Sequence, residues 1–340
     1  MRQVWIPKAG PPEVLALREA RDPLPGDGLV RIRVAAAGVN FADVMGRMGL
    51  YPDLPPMPVV PGYEVAGRVD AVGEGVETDW IGREVIAMSR FGGYADVVCV
   101  PERQVFPRPA EMSAEDGAAL PVNYLTAWQL VVVMGGLRQG ETVLVHSAGG
   151  GVGIAAIQLA KKAGARIFGT ASAGKHDYLK SIGVDACIDY TREDFEERTL
   201  ALTGGRGVEL VLDAVGGKSF AKSFRTLAPT GRLGMFGLSA AAPGKRGSRL
   251  RAAFAAARVP VLRFHPMSLM SQNKGVFGVN LGHMWQEVER LSGWMEQLLA
   301  LYREGAIRPV VAATFPLERA AEAHHFIQDR KNVGKVLLVP

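Results

Sequence analysis

The residues best suited to chemistry lie in a glycine-rich turn between an apolar segment and an amphipathic one. Residues 143–145 are apolar, and residues 154–163 have the spacing of an amphipathic helix that Gly164 would end. A strand, a tight glycine turn and a helix N-terminus suit a dinucleotide pyrophosphate, because backbone N–H groups then point at the phosphates. The turn matches the G-x-G-x-x-G fingerprint with alanine in place of the first glycine. We therefore predict cofactor contacts from Ala148, Gly150, Gly151, Val152 and Gly153.

The residues after the next strand distinguish between the two nicotinamide dinucleotides. Residues 165–170 resemble the second strand of a βαβ unit, and the position that reads the adenosine ribose follows such a strand. No Asp or Glu occurs there before Asp177, whereas Ser172 and Lys175 offer a hydroxyl and an ammonium group. This favours NADPH over NADH, because an acidic side chain would repel the 2′-phosphate. The alternative is that Lys175 only lies on a solvated turn.

Strands and turns divide the chain into two kinds of segment. Residues 1–122 are rich in Gly, Pro and Val, with short alternating runs typical of a small β-barrel-type domain. From about residue 123, helical patterns alternate with apolar strands at 165–170, 186–189, 208–213, 232–237 and 275–280. This order predicts an α/β domain with a doubly wound parallel sheet. We also expect a helix over about 283–304, strands at 310–313 and 336–339, and a helix opening at Pro316.

Composition limits the classes of function. The 340 residues carry a net charge of +5, 48% are apolar and two are cysteines. Cys99 and Cys187 lie outside any C-x-x-C pattern, and no signal peptide or long apolar run is evident, so we expect a cytoplasmic protein. Residues 214–286 are basic and contain no Asp or Glu, which suggests contact with an anion, an acyl-CoA or an acidic membrane, or merely a solvated surface. Without interleaved aromatic residues, nucleic acid is not expected as a partner.

Several segments resemble one family. These are residues 37–43, 49–52, 60–67 and 122–127 together with the glycine turn. The chain is similar to the zinc-independent medium-chain dehydrogenase/reductases, the quinone oxidoreductases related to zeta-crystallin, and within them to the synaptic-vesicle membrane protein VAT homologues. The resemblance implies a GroES-like domain from residues 1–122 and 283–340 and a Rossmann NADPH-binding domain from residues 123–282.

The same resemblance implies roles for residues outside the glycine turn. Asn40 and Thr126 would bind the nicotinamide ribose and serve catalysis, although they could be a turn residue and a helix-start hydroxyl. Beside the nicotinamide would lie Gly237, Phe277 and Val279. The adenosine phosphate would contact Ser172, Lys175 and Tyr190, although Tyr190 could be a core aromatic residue. The cofactor would be covered by Arg330 or Asn332.

The resemblance also bears on metal chemistry. Zinc-dependent members of the superfamily use Cys, His and Cys, and the matching positions here hold Asn40, Tyr63 and Val122. An amide, a phenol and an aliphatic side chain do not form the zinc site that catalysis needs. We therefore expect no metal, and hydride donation to a quinone or another activated enone. Glu64 and Asp43 are expected to be structural hydrogen-bond acceptors.

Tyr51 separates the enzymatic alternatives. In related enoyl-thioester reductases, a tyrosine in a similar Gly-x-Tyr-Pro context is thought to donate a proton, so an enoyl-thioester or alkenal reductase remains open.

A third alternative is an NADPH-responsive lipid-binding protein that contacts anionic membranes through residues 245–263. The apolar segment 276–280, predicted as the last strand of the sheet, would favour a homodimer.

Overall fold

The computed structural model describes residues 1–241 and 264–340. They form two compact units, Met1–Leu125 with Leu281–Pro340, and Thr126–Asn280. The boundaries expected from the sequence, after residues 122 and 282, differ from these by three and two residues. The segment 245–263, considered above for membrane contact, lies outside the described residues. Within the described ranges, no helix is both long and apolar enough to cross a membrane.

The strands are short, and they are listed here in chain order. They are β1 (Arg2–Trp5), β2 (Ala16–Glu19), β3 (Leu29–Val39), β4 (Glu64–Val72), β5 (Glu84–Met88), β6 (Val97–Pro101), β7 (Val105–Pro107), β8 (Thr142–Val145), β9 (Arg166–Thr170), β10 (Ala186–Ile188), β11 (Val208–Asp213), β12 (Leu227–Met235), β13 (Gly275–Gly278), β14 (Val311–Pro316) and β15 (Lys335–Val339).

The described α-helices are mostly two to four turns long. They are α1 (Phe41–Arg47), α2 (Ala114–Ala119), α3 (Pro121–Trp128), α4 (Gly151–Lys162), α5 (His176–Ser181), α6 (Phe195–Leu202), α7 (Lys218–Arg225), α8 (Pro266–Gln272), α9 (Val288–Arg303) and α10 (Ala320–Gln328).

The first unit is built on a mainly antiparallel sheet with strand order β14-β15-β3-β4-β5-β7, and β6 also pairs with β3. The long strand β3 alternates buried Val30, Ile32 and Val34 with the more exposed Arg31 and Arg33. This period of two places one face of the strand in the core. β15 pairs antiparallel with β3, so residues from both ends of the unit share one sheet.

The second unit contains six described strands, all parallel, in the order β10-β9-β8-β11-β12-β13. Every residue of β11 is buried, as expected for a central strand covered on both faces. The order reverses between β8 and β11, and ligands bind α/β sheets at such a switch point, beyond the carboxyl ends of the strands. The predicted doubly wound α/β domain is confirmed.

The bounds of several predicted elements differ from those observed. The helix expected over 283–304 begins only at Val288, because residues 281–287 close two successive tight turns, from Leu281 O to Met284 N and from Met284 O to Glu287 N. Gly305, with φ 73°, ends that helix as expected. The strand predicted at 232–237 begins earlier, at Leu227, and the helix predicted at Pro316 begins at Ala320 after a 3₁₀ turn.

Candidate cofactor and substrate site

The glycine turn connects β8 to α4. Gly150 is the N-cap of the helix, and its own N–H donates to Ser147 O at 2.8 Å. The first N–H groups of an α-helix have no acceptor within it, so those of Gly151, Val152 and Gly153 are available to an anion. A Cβ on Gly153 would lie 2.5 Å from Ser147 O, so only glycine fits there. Ser147 itself adopts φ 53°, an uncommon conformation for a non-glycine residue and one found at functional turns.

Alanine can occupy the first glycine position because the residue that packs against it, Gly169, is a glycine. The fully buried Ala148 side chain lies against Gly169 of β9, where a Cβ would approach that of Ala148 to 2.9 Å. The Ala148 N–H also donates to Thr170 O. The missing methyl group of Gly169 therefore makes room for Ala148, and the tight turn is preserved.

Ser172 and Lys175 lie where the sequence predicts a reader of the 2′-phosphate. Both follow the carboxyl end of β9, and the Lys175 side chain lies across the glycine turn. A Cβ on Gly149 would be 2.8 Å from Lys175 Cδ and 3.7 Å from its Nζ. Ile188 of β10 pairs with Thr170 of β9, so Tyr190 lies at the same edge as Ser172 and is 41% exposed. The exposure argues against Tyr190 as a core aromatic residue.

The remaining candidates of the second unit lie on different elements. Thr126 is buried in the middle of α3, so it is not a helix-start hydroxyl. Gly237 follows β12 and lies close to Ala214, where a Cβ would be 2.8 Å from Ala214 O. The ring of Phe277 covers Gly234 of β12, and the Val279 N–H donates to Met235 O.

Asn40 is held by two buried charged side chains. Its Oδ1 accepts from Lys335 Nζ at 2.6 Å, and its Nδ2 donates to Glu64 Oε1 at 3.0 Å. Lys335 Nζ also donates to Glu64 Oε1, and Glu64 Oε2 accepts from Val122 N. These contacts fix the orientation of the Asn40 side-chain amide, with Oδ1 toward Lys335 and Nδ2 toward Glu64. Asn40 and Asp43 also form a capping box at the N-terminus of α1.

Asp43 is a buried acceptor close to Asn40. Its carboxylate accepts from Asn40 N at 2.8 Å, from Gly62 N at 3.1 Å and from Tyr94 Oη at 3.2 Å. Burial raises the pKa of Asp43 to about 7, against the lowering effect of these donors and of Lys335. Tyr94 Oη also contacts His324 Nε2 at 3.0 Å. The structural role expected of Asp43 agrees with these contacts.

Three aromatic side chains form a cluster in the first unit. Tyr51 meets Tyr63 edge-on, with centroids 6.4 Å apart, and Phe91 lies 5.3 Å from Tyr63. Tyr63 is 6% exposed. Tyr51 and Phe91 are half-buried.

The residues at the zinc positions do not fit a metal. The amide of Asn40 is already bonded to Lys335 and Glu64, Tyr63 offers a phenol, and the aliphatic side chain of Val122 has no donor atom. Within the part of the chain that the structure describes, no group of three His, Cys, Asp or Glu side chains could hold a metal ion.

Arg330 and Asn332 lie in the turn between α10 and β15. Arg330 is exposed and adopts φ 56°. Asn332 Nδ2 donates to Gly334 O at 2.9 Å, so this amide supports the turn that leads to Lys335.

Lys335 is a residue of the site that the sequence reasoning missed. It is 295 positions from Asn40 in the chain, so no local pattern relates the two residues. The available signal was a lysine at the start of an apolar final strand, a position that requires a buried partner once the strand is central.

Two family models match the chain. One is described as an alcohol dehydrogenase GroES-like domain and matches residues 26–110, and the other as a zinc-binding dehydrogenase and matches residues 182–338. The rat synaptic vesicle membrane protein VAT-1 homolog is 43% identical over 96% of this chain and 80% of its own length. The chain belongs to the medium-chain dehydrogenase/reductase family. The GroES-like and Rossmann-like domains expected from the resemblance are confirmed.

Solved medium-chain dehydrogenase/reductases have the same fold. The human synaptic vesicle membrane protein VAT-1 homolog-like protein is 33% identical with a TM-score of 0.86, and all of this chain and 98% of that one are covered. Escherichia coli quinone oxidoreductase complexed with NADPH is 31% identical with a TM-score of 0.88, and both chains are fully covered. The CurK enoyl reductase is 29% identical with a TM-score of 0.84, covering 99% and 98%. These neighbours identify the protein as an oxidoreductase.

Proposed function

We propose that this protein is an NADPH-dependent reductase that transfers a hydride to quinones or other activated enones without a metal. The observation that carries the proposal is the Lys175 side chain across the glycine turn, beside the N-terminus of α4. A cation at this place suits a 2′-phosphate. The NADPH-bound quinone oxidoreductase neighbour supports the same cofactor.

The residues of the chain would divide the work of binding and orientation. The turn residues, with Ser172, Lys175 and Tyr190, would hold the phosphates. Asn40, fixed by Lys335 and Glu64, and Thr126 would hold the nicotinamide ribose, with Gly237, Phe277 and Val279 along the nicotinamide and Arg330 covering the cofactor. Bound NADPH supplies the hydride. A conjugated carbonyl acceptor is already electrophilic, so orientation by these residues supplies much of the rate.

The acceptor class can be tested by stopped-flow measurement of NADPH oxidation. The panel contains a quinone, an enone, an alkenal and an enoyl-CoA, each with wild type and with the Tyr51→Phe variant. We expect rapid turnover of the quinone and a loss of less than about tenfold in the variant, because water can protonate the product oxygens. Absence of NADPH oxidation with every acceptor would contradict the proposal.

A second candidate function is an enoyl-thioester or alkenal reductase with Tyr51 as proton donor. The position of Tyr51 beside Tyr63 and the likeness to an enoyl reductase favour it. In that case Tyr51→Phe removes the general acid and should lower turnover of the enoyl substrate by about 10²-fold or more. NADPH should bind equally well to wild type and to the Tyr51→Phe variant.

A further inference from the structure

The first step of the glycine turn is held by one residue of the neighbouring strand. Thr170, the last residue of β9, accepts from Ala148 N through its backbone oxygen at 3.1 Å, and its Oγ1 lies 3.0 Å from His146 Nδ1. The His146 N–H donates to Leu212 O of β11 at 2.9 Å. His146 and Ala148 are thus both anchored, and Ser147 between them adopts the left-handed φ of 53°. These bonds fix the direction in which the backbone leaves β8.

The other nitrogen of the His146 ring is bonded to α7. Its Nε2 lies 3.1 Å from Ser223 Oγ, and Ser223 donates to Asp213 Oδ2 at 2.7 Å. Asp213 Oδ1 accepts from the N–H groups of Val215 and Gly216, so the same carboxylate holds the loop that follows β11. A buried polar chain of four side chains therefore joins the loops after β8, β9 and β11, three adjacent strands at the switch point of the sheet.

The hydrogen bonds of the buried polar chain run in a single direction. The Asp213 carboxylate accepts from four donors, so the Ser223 hydroxyl gives its hydrogen to Asp213 and accepts from His146 Nε2. The unprotonated Nδ1 then accepts from the Thr170 hydroxyl. Turning the imidazole over would place C–H groups against both hydroxyls, so the bonds select one orientation of the ring. Phe195 packs against this ring, with the two centroids 4.4 Å apart.

The four side chains of the buried polar chain are closed to solvent. His146 and Thr170 are 2% exposed, and Asp213 and Ser223 are 0% exposed. Apolar side chains of similar volume would fill this space without the desolvation of a carboxylate and an imidazole. A fully bonded polar network instead rigidifies the groups around it and specifies one arrangement of them. The group that this network surrounds is the turn that leads into α4.

We propose that the buried polar chain positions the glycine turn for the pyrophosphate of the cofactor, an inference that rests on the proposed function. The first N–H groups of α4 bind phosphate oxygens only if the turn presents them at the distance and angle of a hydrogen bond. His146, Thr170 and Ser223 act through the backbone of the turn and are therefore positioning residues. Dinucleotide affinity should depend on them although they are buried beneath the turn.

The test compares two serines of α7 that are bonded to the same oxygen. Ser219 and Ser223 each donate to Asp213 Oδ2 at 2.7 Å, and Ser223 is also bonded to His146. Ser223→Ala should weaken NADPH binding by about 3- to 30-fold, the range for residues that act on a site through others. Ser219→Ala, the matched control, should bind NADPH as wild type does. Calorimetric titration measures the affinities without turnover.

A fragment of the cofactor separates a displaced turn from a general loss of structure. 2′-AMP carries the adenosine and the 2′-phosphate but no pyrophosphate, so it does not need the turn. Its affinity for Ser223→Ala should lie within about twofold of that for wild type. Thr170→Val removes the hydroxyl bonded to His146 Nδ1, on the other side of the ring. This second variant should show the same selective loss of NADPH affinity, and it keeps the test valid if Ser223→Ala does not fold.

Hydrogen–deuterium exchange of the ligand-free protein examines the turn without any cofactor. The amides of His146, Ala148 and Gly150 are hydrogen-bonded. They should exchange faster in Ser223→Ala than in wild type, and at the wild-type rate in Ser219→Ala. If wild type binds no NADPH, faster exchange in Ser223→Ala still supports the role of the buried polar chain in holding the turn, whereas the proposed cofactor would be wrong.

Four outcomes would overturn the inference. They are equal losses of NADPH affinity in the two serine variants, equal losses for NADPH and 2′-AMP, wild-type NADPH affinity in both Ser223→Ala and Thr170→Val, and unchanged exchange at the turn in Ser223→Ala.

Discussion

At the scale of single residues, two lysines show how environment sets a role. Lys175 is half-buried, and its side chain lies over a glycine turn. Lys335 is 3% exposed and bonded to Glu64 and Asn40. The first is suited to an incoming anion, whereas the second already holds a buried carboxylate and an amide. The two residues therefore yield opposite predictions when their charge is removed.

Lys175→Ala should weaken NADPH binding and spare NADH binding. A charged hydrogen bond to the 2′-phosphate contributes about 1.5–3 kcal/mol, which corresponds to a loss of about 10- to 100-fold in affinity. Fluorescence titration of both cofactors measures this. Equal affinity of the wild-type protein for NADPH and NADH would show that Ser172 and Lys175 have been assigned wrongly.

Lys335→Met should destabilise the fold, because it leaves the carboxylate of Glu64 buried without its cation. Removal of one partner of a buried pair costs about 3–5 kcal/mol. The double variant Glu64→Gln with Lys335→Met should recover part of this loss, since no charge remains. Urea unfolding of the three proteins is the measurement. A double variant less stable than Lys335→Met would contradict the pairing.

The cofactor-binding turn could be predicted from sequence because its determinants are local. Ala148, Ser172 and Lys175 occur within 28 positions, and strand-turn-helix spacing relates them. The bonds between Lys335 and Asn40 could not be predicted, since they depend on the pairing of β15 with β3 across the whole chain.

At the scale of elements, the carboxyl ends of three parallel strands are joined by a buried polar chain. His146 follows β8, Thr170 ends β9 and Asp213 ends β11. His146 Nδ1 contacts Thr170 Oγ1 at 3.0 Å, and its Nε2 contacts Ser223 Oγ at 3.1 Å. Ser223 in turn donates to Asp213 at 2.7 Å. A neutral imidazole with hydrogen on Nε2 satisfies every member of this chain.

Stability should therefore depend on pH through His146. Burial lowers the pKa of His146, although Asp213 opposes this. Below about pH 6.5 the unfolded chain takes up a proton that the folded ring does not, so this contribution to stability is complete above that pH and is lost as pH falls. His146→Gln keeps a donor and an acceptor and should flatten the decline. Urea midpoints between pH 5 and 7.5 measure the difference.

The pH profile of the His146→Gln variant must be compared with that of wild type, because Asp43 changes the stability with pH in the opposite direction. Its pKa is raised to about 7, so its contribution is present at low pH and is lost as pH rises from about 4 through 7. Subtraction of the two profiles removes this part. A wild-type profile parallel to that of His146→Gln would mean that the ring takes up its proton equally in the folded and the unfolded protein.

Patterns of apolar residues predicted the strands better than the start of α9. The strand at 208–213 has the bounds predicted from its mainly apolar residues, and all six of its residues are buried. Leu281 and Met284 continue the spacing of the helix, yet each accepts the hydrogen bond that closes a tight turn. Amphipathic spacing cannot distinguish a helix from turns that bury the same side chains.

At the scale of the whole molecule, the parallel sheet ends at β13, which lies at an edge of the described sheet. Unpaired edge groups favour pairing with a second copy. We predict a two-fold dimer in which the two β13 edges meet. Light scattering at micromolar concentration should give twice the mass of the chain, and a monomer throughout would contradict this.

Gly278→Lys tests whether the edge is the interface. A Cβ at Gly278 meets only Met235 O, at 3.9 Å, so the chain itself tolerates the change, whereas a charge at the edge opposes pairing. The variant should be monomeric. Gly293→Lys on α9 is the matched control, because a Cβ there has no heavy atom within 4 Å, and it should remain dimeric.

The position of β15 in the sheet of the first unit has a consequence for folding during synthesis on the ribosome. β3 pairs with β15 through Ala37, Gly38 and Val39, yet about 300 residues are translated between the two strands. At 5–20 residues per second this takes roughly 15–60 s. During that time all residues of the second unit are synthesised, while the edge of β3 that pairs with β15 has no partner strand. Until Lys335–Val339 has been synthesised, the unpaired groups at this edge of β3 are open to pairing with other chains.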